Sequence, residues 1–557
     1  MMESFCRKSG ERFEISADDL AFLERVSPKI GDAVESVPPV TLAPRYRAMR
    51  RLAWRNSNHL YRRQCMKTGA PIVSAYPSEC PFPIYSTPVW WSDDWDQTAS
   101  GRAVDLRRPF FEQFRELMFE APRPAVMNSG SQNSEYCNYA GQNKNCYMAN
   151  NGSWYNETCL FGEAYLRCRD CVDCSYVRGC ELCYEVVGGD ALYECSHCTD
   201  CHTSANCHFS FNLRGCRDCF LSCNLRNKVG YIRNLPASEA QLAALREQMK
   251  TVAGLAEMRA ELEQLERGTI HPAYLNINCE ESSGDYLTNC KNVRFSSIVG
   301  NIRDGKYLLH CDEAQDMWDC SLSGYAGSEL YYETVSSGDG GSRALFCSGS
   351  WASHEVMYCD TVMSCRSCFG CIGLKRAENT VLNRSYTRKE YEHIVRTLIG
   401  HMRETGEWGE FFPEALAPHA YNESHAQDFY PLEQSQALTI GYRWKPSPPV
   451  VVAMNENLPP EGIAQFRDSF CDVTYSCRTT GRSFKIIRSE LGVLRKLQIA
   501  PPVVCPEERR TARLSRRNKP EYYQRSCCVT GEPILTSYEP NRFEKVCSYE
   551  AYLSLLE

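Results

Sequence analysis

Cysteine is the residue type with the greatest capacity for chemistry in this chain, since it supplies 33 of the 557 residues. Between Cys168 and Cys223 most cysteines form Cys-x2-Cys steps, the spacing at which two thiolates reach one zinc ion. Thiolates are soft ligands that favour zinc, copper(I) or an iron–sulfur cluster. We therefore predict a thiolate metal site, with zinc as the possible cofactor and His197, His202 and His208 as further ligands.

The predicted metal ligands come from two cysteine-rich segments and from the C-terminal part of the chain. They are Cys168, Cys171, Cys174, Cys180, Cys183, Cys195, Cys198, Cys201, Cys216, Cys219, Cys365, Cys368, Cys371, Cys477, Cys505, Cys527 and Cys547. Two other interpretations stay open: reduced thiols that only pack a core, and redox-active or disulfide-bonded pairs. Because 33 is an odd number, the cysteines cannot all pair within one chain.

The cysteines recur at an interval that indicates a repeating fold. Cys159, Cys180 and Cys201 are 21 residues apart, and other cysteines keep the same interval. A repeat of this length is typical of stacked coils. Equivalent cysteines of successive coils would then lie about 4.8 Å apart, which is the spacing of neighbouring strands.

Two internal duplications organise the chain. The segment from Cys216 to Phe220 matches the segment from Cys365 to Phe369 at an offset of 149 residues. Each cysteine-rich segment leads into a capping box, at Ser238 and at Thr387, which predicts the start of a helix. The first helical segment should break near Gly254.

The two ends of the chain also resemble each other. Four Cys-x2-Ser/Thr-Gly turns begin at Cys6, Cys65, Cys477 and Cys527. They have the shape of zinc knuckles in which a hydroxyl replaces the second cysteine. The C-terminal module retains enough other cysteines for one metal site, whereas the N-terminal module has one too few.

Arginine-rich stretches near both ends suggest a second function. Two similar basic faces with interleaved aromatic residues could bind a phosphate backbone. The residues predicted to do so are Arg47, Arg50, Arg51, Arg55, Arg513, Arg516 and Arg517. The alternative is that these arginines pair with carboxylates of the same chain, whose net charge is −7.

These patterns predict a mainly β fold, in which two Cys-rich β-solenoid lobes of ~21-residue coils lie between two related zinc-ribbon-like α+β modules. The expected segments are an N-terminal module with the basic stretch (1–127), lobe 1 (128–234), a helical hairpin (235–272), lobe 2 (273–384), a helix and cap (385–446), a Pro-rich linker (447–467) and a C-terminal module (468–557).

Composition and absent motifs narrow the class of protein. No apolar run approaches the ~18 residues of a membrane span, and the first residues lack the order of a signal peptide, so we expect a cytoplasmic protein. The sequence has no Gly-x-Ser-x-Gly elbow, no Gly-Lys-Ser/Thr phosphate loop and no His-Glu-x-x-His motif. Whether the chain is an enzyme stays uncertain, and the balance is against it.

Several long phrases carry a resemblance to a known family. They are Arg-Arg-Leu-Ala-Trp-Arg-Asn (50–56), Trp-Trp-Ser-Asp-Asp-Trp-Asp (90–96), Arg-Pro-Phe-Phe-Glu-Gln-Phe (108–114), Thr-Gly-Glu-Trp-Gly-Glu-Phe-Phe-Pro (405–413) and Tyr-Asn-Glu-Ser (421–424). The chain resembles large, Cys-rich, zinc-ribbon-like proteins that are frequent in candidate-phyla bacteria with reduced genomes. The resemblance implies zinc and brings no activity or catalytic residues.

The sequence as a whole predicts a repeat-based scaffold that binds a metal ion, zinc first, through thiolates and that acts with an unidentified partner. The alternatives are a nucleic-acid-binding factor that uses the arginine stretches, a solenoid enzyme acting on carbohydrate, and a thiol-redox protein. No membrane partner is expected.

Overall fold

The computed structural model describes residues 2–446 and 457–556 and divides the chain into two compact units. Unit 1 contains residues 1–125, 274–445 and 519–523, and unit 2 contains residues 126–273, 446–518 and 524–557. Each unit therefore combines one end of the chain with one of the two cysteine-rich segments.

The helices are short and lie mostly outside the cysteine-rich segments. They are α1 (Ala17–Val26), α2 (Pro44–Leu52), α3 (Thr87–Trp91), α4 (Phe110–Met118), α5 (Glu239–Gln248), α6 (Val252–Gly268), α7 (Arg388–Glu404), α8 (His425–Phe429), α9 (Gln434–Ile440), α10 (Arg488–Leu497), α11 (Pro506–Arg516) and α12 (Tyr549–Ser554). Within the described residues, no helix is both long and apolar enough to span a bilayer.

Most strands are four residues or shorter. They are β1 (Met2–Phe5), β2 (Arg12–Ile15), β3 (Lys29–Ile30), β4 (Ala33–Val34), β5 (Tyr61–Gln64), β6 (Pro71–Ser74), β7 (Ile84–Tyr85), β8 (Arg123–Pro124), β9 (Asn128–Ser129), β10 (Ala140–Gly141), β11 (Tyr147–Asn150), β12 (Ser153–Trp154), β13 (Leu160–Leu166), β14 (Ser175–Arg178), β15 (Val187–Asp190), β16 (Thr199–His202), β17 (Arg217–Phe220), β18 (Val229–Ile232), β19 (Leu235–Pro236), β20 (His271–Pro272), β21 (Gly284–Thr288), β22 (Lys291–Arg294), β23 (Ser296–Lys306), β24 (Leu309–Ser321), β25 (Gly324–Val335), β26 (Ser342–Leu345), β27 (Ser348–Trp351), β28 (His354–Met357), β29 (Asp360–Met363), β30 (Arg366–Phe369), β31 (Glu378–Val381), β32 (Arg384–Ser385), β33 (Tyr475–Ser476), β34 (Ser483–Phe484), β35 (Tyr523–Ser526), β36 (Pro533–Thr536) and β37 (Val546–Cys547).

Each unit is built around a large sheet of parallel strands, which we call its ladder. The unit 2 ladder has eight strands in the order β16-β15-β14-β13-β12-β10-β9, with β11 also on β13. The unit 1 ladder has twelve strands, with β21-β23-β24-β25-β26-β28-β30-β31-β32 as its main path. Two-stranded sheets such as β1-β2 and β5-β6 lie in the end modules, whereas the three-stranded sheet β17-β18-β19 lies at the end of the cysteine-rich segment of unit 2.

The ladder of unit 2 has a register of 12 residues. Glu163 pairs with Ser175, Ser175 pairs with Val187, and Val187 pairs with Thr199, always in parallel. The same offset joins most strand pairs of the unit 1 ladder, where a bulge in β25 adds residues between two pairs. The chain therefore returns to an equivalent position every 12 residues.

A regular backbone kink produces this return. Every third residue from Thr158 to Arg233 has a positive φ, between +48° and +74°. The left-handed conformation costs a non-glycine residue roughly 1–2 kcal/mol, so its repeated use needs compensation. Asp173 is one of the kinked residues. Its N–H donates to Leu160 O, which lies in the preceding 12-residue segment, at 3.0 Å. Parallel hydrogen bonds of this kind and the packed side chains inside the ladder stabilise the kinks.

The predicted fold class, mainly β with two solenoid lobes of ~21-residue coils, is wrong. The chain is 24% helical and 32% strand, and its many short strands form large parallel sheets whose pairs are 12 residues apart rather than ~21. The interval was misread for a physical reason. Buried positions of the ladder recur every three residues, so intervals of 12 and of 21 residues both connect buried cysteines. In the structure, however, the next cysteine after Cys159 in its column is Cys171 and not Cys180.

Two glycines of the unit 2 ladder test the cost of the kink. Gly188 and Gly179 both have positive φ, but a Cβ at Gly188 would lie 2.4 Å from Asp200 Oδ1, whereas a Cβ at Gly179 would meet nothing within 4 Å. We expect Gly179→Ala to destabilise the protein by about 1–2 kcal/mol from backbone strain. Gly188→Ala should cost about 1–3 kcal/mol more from overpacking. Urea unfolding of both variants measures the difference, and equal losses would contradict the proposed close contact.

Both predicted capping boxes are confirmed. Ser238 caps α5 and Thr387 caps α7, each with the reciprocal hydrogen bond from the third residue of the helix. The chain also breaks near Gly254 as predicted, since α5 ends at Gln248 and α6 begins at Val252 after its N-cap Thr251. A Cβ at Gly254 would lie 2.0 Å from Gln248 O, so this glycine lets α6 begin close to the end of α5.

The predicted Pro-rich linker (447–467) is only partly described. Residues 447–456 lie outside the described residues. In the remainder, Ile463 is buried in unit 2 and its N–H donates to Lys250 O at 3.1 Å. That part of the segment is packed against the α5–α6 region.

Candidate thiol site

The ladder cysteines form continuous buried columns. Contacts at an offset of 12 residues, or of 13 between Cys146 and Cys159, connect the members of the main column in unit 2. That column consists of Cys146, Cys159, Cys171, Cys183, Cys195, Cys207 and Cys219, all of them 2% exposed or less. Unit 1 has a shorter column of Cys347, Cys359 and Cys371. The predicted ligands from Cys168 to Cys219 and from Cys365 to Cys371 all lie inside the ladders.

Ladder thiols act as hydrogen-bond donors. Cys171 Sγ donates to the carbonyl oxygens of Arg169 and Cys180 at 3.2 and 3.5 Å. Cys198 Sγ makes the same pair of contacts one column away. Burial is the largest cause that raises the pKa of both thiols well above the ordinary value. These thiols are therefore protonated and pack like small apolar side chains.

Two of the three histidines proposed as further ligands, His197 and His208, have other side-chain partners. His197 stacks on Phe209 with a ring separation of 4.2 Å, and its Nε2 lies 3.7 Å from a carboxylate oxygen of Glu185. His208 Nδ1 lies 2.8 Å from Ser196 Oγ. Among the described residues, no three His, Cys, Asp or Glu side chains are already arranged as a metal-binding group. Metal binding by the ladder cysteines stays a prediction.

The four Cys-x2-Ser/Thr-Gly turns share one backbone geometry. In each turn the glycine N–H donates to the cysteine carbonyl oxygen, at 2.8–2.9 Å, and the glycine has a φ between +70° and +76°. The cysteine N–H donates in turn to the residue that follows the glycine, at 2.7–2.8 Å. We call these turns knuckles; they begin at Cys6, Cys65, Cys477 and Cys527.

The knuckle sulfurs accept hydrogen bonds from backbone N–H groups, as some ladder sulfurs do, for example Cys146 Sγ from the N–H of Cys159 at 3.4 Å. The N–H groups of Ser548 and Thr530 donate to Cys527 Sγ at 3.3 and 3.4 Å. Burial acts to raise the pKa of Cys527, but the Thr530 hydroxyl and these N–H groups outweigh it and lower the pKa to about 6. Cys477 is held in the same way, with its pKa lowered to about 6. Both sulfurs are thus thiolates at neutral pH.

Two further thiols lie beside Cys527. Cys528 is exposed, its N–H donates to Val546 O at 2.9 Å, and its side chain contacts that of Cys547. Burial and the neighbouring Cys528 and Cys527 raise the pKa of Cys547 to about 12. The predicted ligand set names Cys527 and Cys547 but not Cys528, whose exposed side chain contacts that of Cys547.

The N-terminal module repeats this framework without the extra thiols. At an offset of 462 residues, Cys65 corresponds to Cys527, and the N–H of Ser86 donates to Cys65 Sγ at 3.3 Å. Met66 and Tyr85 occupy the positions of Cys528 and Cys547. The duplication thus provides an internal reference for each thiol of the C-terminal module.

Three arginines of α2, Arg47, Arg50 and Arg51, are buried in ion pairs of unit 1. Arg47 Nε lies 2.9 Å from Asp319 Oδ1, and Arg51 Nη1 lies 3.0 Å from Glu333 Oε2. Arg50 pairs with Glu410 at 2.9 Å. Arg55 is buried too, and it donates to Ser336 Oγ at 2.8 Å.

The C-terminal stretch makes the equivalent pairs in unit 2. Arg513 Nη1 lies 2.6 Å from one oxygen of Asp173, and Arg509 Nη1 lies 2.9 Å from the other. Arg516 approaches Glu185 at 3.6 Å, and Arg517 lies over the Tyr176 ring at 4.0 Å. The acidic partners were missed because nothing in their local sequence marks them. Nucleic-acid binding by the arginines stays a prediction, and their burial lends it no support.

No protein-family model matches the chain, and no curated protein matches it either. The function is therefore argued from the thiols themselves.

Proposed function

We propose that the protein is a repeat-based scaffold that binds one thiophilic metal ion, zinc first, at Cys527, Cys528 and Cys547. The observation that carries this proposal is the state of Cys527, whose sulfur accepts two backbone N–H groups and so is held as a thiolate. A thiolate is the form in which cysteine binds a metal. Two neighbouring thiols supply the further ligands.

The chemistry of the three thiols suits zinc with an open position. Three protein ligands with a fourth from water or another molecule is a familiar zinc arrangement. The three sulfurs are not arranged as a metal-binding group in the described structure, so the side chains of Cys528 and Cys547, which contact each other, have to move toward Cys527 for the metal to bind. Binding would release the proton of Cys547, whose pKa is raised to about 12.

The ladders supply the scaffold in this proposal. Their S–H groups donate to backbone carbonyls, so they hold the strands together and leave metal chemistry to the C-terminal module. Every cysteine is free, which suits a reducing compartment such as the cytoplasm. The ladders would then present surfaces of the two units to a partner that is still to be identified.

Elemental analysis of protein purified under reductant tests the metal proposal. We expect one zinc per chain, and we expect Cys528→Ser and Cys547→Ala to lose it. Cys65→Ala is the matched control and should keep the metal, because Met66 and Tyr85 leave that knuckle with a single thiol.

Cobalt(II) gives an independent readout of the same site. Added to metal-free protein, it should produce thiolate-to-metal charge-transfer absorption that Cys528→Ser abolishes. Because Cys528 is exposed, this variant should fold normally. Reduced protein that takes up neither metal, or variants that bind as much as wild type, would refute the proposal.

A further inference from the structure

Two arginines lie in neighbouring 12-residue segments of unit 2. Arg214 and Arg226 are paired in the parallel register, so their backbones lie about 4.8 Å apart. Both residues are partly buried, and water therefore screens their charges less than it would on an open surface. Like charges in a directly opposed pair repel each other and destabilise the strands that carry them.

The charge of Arg214 is not balanced by an acid. Among the described residues Arg214 forms no ion pair, and its Nε is buried without a hydrogen-bond partner. A buried donor in this state calls for a water molecule or an ion. Burial, and then the positive charge of Arg226, lower the pKa of Arg214, whereas the carboxylate of Asp200 opposes this shift only weakly. The two arginine charges therefore lie close enough to repel each other.

Neutral groups fix the second guanidinium in place. Arg226 Nη1 donates to Asn212 O at 2.6 Å, and Arg226 Nη2 donates to the Tyr552 hydroxyl at 3.2 Å. The Tyr552 hydroxyl in turn donates to Asn224 Oδ1 at 2.9 Å, which ties α12 to the same place. Every acceptor that Arg226 reaches among the described residues is uncharged, so its positive charge is not balanced either.

The corresponding place in unit 1 holds a single cation. At the offset of 149 residues, Met363 stands for Arg214 and Lys375 stands for Arg226, and the two are paired in the same parallel register. Lys375 Nζ donates to the carbonyl oxygen of Trp90 at 2.8 Å. Two adjacent cations without a counter-charge are thus a property of unit 2 and not of the repeat itself.

We propose that Arg214 and Arg226 form a binding site for a phosphate dianion, either free or as the terminal group of a small organic molecule. A guanidinium group presents a planar fork of N–H donors that matches the oxygens of a phosphate. A phosphate monoester carries a charge of about −1.5 to −2 at pH 7, which matches two cations that lack counter-charges. The bound anion would also remove the repulsion between them.

Isothermal titration calorimetry of the full-length protein with inorganic phosphate tests the site. We expect one phosphate per chain. Arg214→Met should weaken binding by about tenfold or more, because it removes the charged hydrogen bonds of one guanidinium. Methionine is the residue at this position in unit 1, so the variant should fold. Arg217→Met is the matched control and should bind like wild type, because Arg217 is exposed and its Nε lies 3.6 Å from the Asp218 carboxylate.

Thermal unfolding provides a second readout of the same variant. Without phosphate, Arg214→Met should unfold at the same temperature as wild type or at a higher one, because one of two repelling charges is gone. Phosphate should raise the unfolding temperature of wild type, since a ligand that binds only the folded state stabilises it. It should not raise that of Arg214→Met.

Two further titrations define the ligand. Phenyl phosphate keeps the double charge and should bind, whereas dimethyl phosphate carries a single charge and should bind about tenfold more weakly or less. Tighter binding of phenyl phosphate than of inorganic phosphate would assign the site to an organic phosphate, and the reverse would assign it to the free ion.

The outcomes separate this proposal from the metal proposal. Wild type that binds no phosphate, or Arg214→Met that binds it as tightly as wild type, would overturn the arginine site. Repeating the titration on Cys528→Ser, which lacks the proposed metal site, should leave phosphate binding unchanged. Loss of binding in Cys528→Ser would place the anion on the metal and would also overturn the proposal.

Discussion

Asp173→Asn should destabilise unit 2 by about 3–5 kcal/mol, the usual cost of removing one partner from a buried ion pair. Asp173 is fully buried, and its two carboxylate oxygens lie 2.6 and 2.9 Å from the guanidinium groups of Arg513 and Arg509. Asparagine keeps the shape of the Asp173 side chain but removes its negative charge. The buried guanidinium groups of Arg509 and Arg513 would then lose the carboxylate that they share. Urea unfolding measures the loss, and hydrogen exchange shows whether it is confined to unit 2.

An exposed ion pair of the same unit provides the control. Arg233 pairs with Glu261 at the surface of unit 2, with one N···O distance of 2.7 Å. Glu261→Gln should cost about 0.2–1 kcal/mol, as for other exposed pairs. Asp319→Asn should reproduce the large loss in unit 1, because Arg47 and Arg51 lie against Asp319 at 2.9 and 3.2 Å. A loss below 1 kcal/mol at Asp173 would mean that the helix α11 is held by its apolar contacts alone.

Sequence reasoning succeeded where the determining interactions are local. The capping boxes at Ser238 and Thr387 depend on residues three positions apart, so both helix starts could be predicted. The knuckles at Cys65 and Cys527 also depend on a few adjacent residues. The offset of 462 residues between them also relates the first residues of the two basic helices, α2 and α11.

Sequence reasoning failed where distant residues decide. A period of three in the cysteines is compatible with several ladder registers, and hydrogen bonds between segments such as Glu163 and Ser175 select 12. The arginines of α2 and α11 look like solvated basic faces until the carboxylates of Asp319 and Asp173, hundreds of residues away, are placed beside them. The hydrogen bonds that each sulfur donates or accepts depend on the surrounding backbone, so the sequence could not predict which sulfurs are acceptors.

His208 makes the stability of unit 2 depend on pH. Burial, and then the positive charge of Arg246, lower the pKa of His208 to about 3, whereas an unfolded histidine has a pKa of about 6.5. Between these values the unfolded state binds more protons, so this contribution is fully present above about pH 6.5 and is lost as the pH falls. The 2.5 units between pH 6.5 and pH 4 correspond to about 3 kcal/mol.

A variant that cannot titrate isolates this effect from the carboxylates, which change charge in the same range. His208→Asn keeps a polar atom near the Ser196 hydroxyl, which lies 2.8 Å from His208 Nδ1. From pH 7 to pH 4, wild type should lose about 3 kcal/mol relative to this variant in urea unfolding. His354→Asn is the matched control, because His354 Nδ1 lies 2.9 Å from Ser342 Oγ but its ring is partly exposed. Its stability curve should run parallel to that of wild type. If the curve of His208→Asn were also parallel, the unfolded state would gain no proton over the folded state at His208, and the ring would be charged in the native ladder.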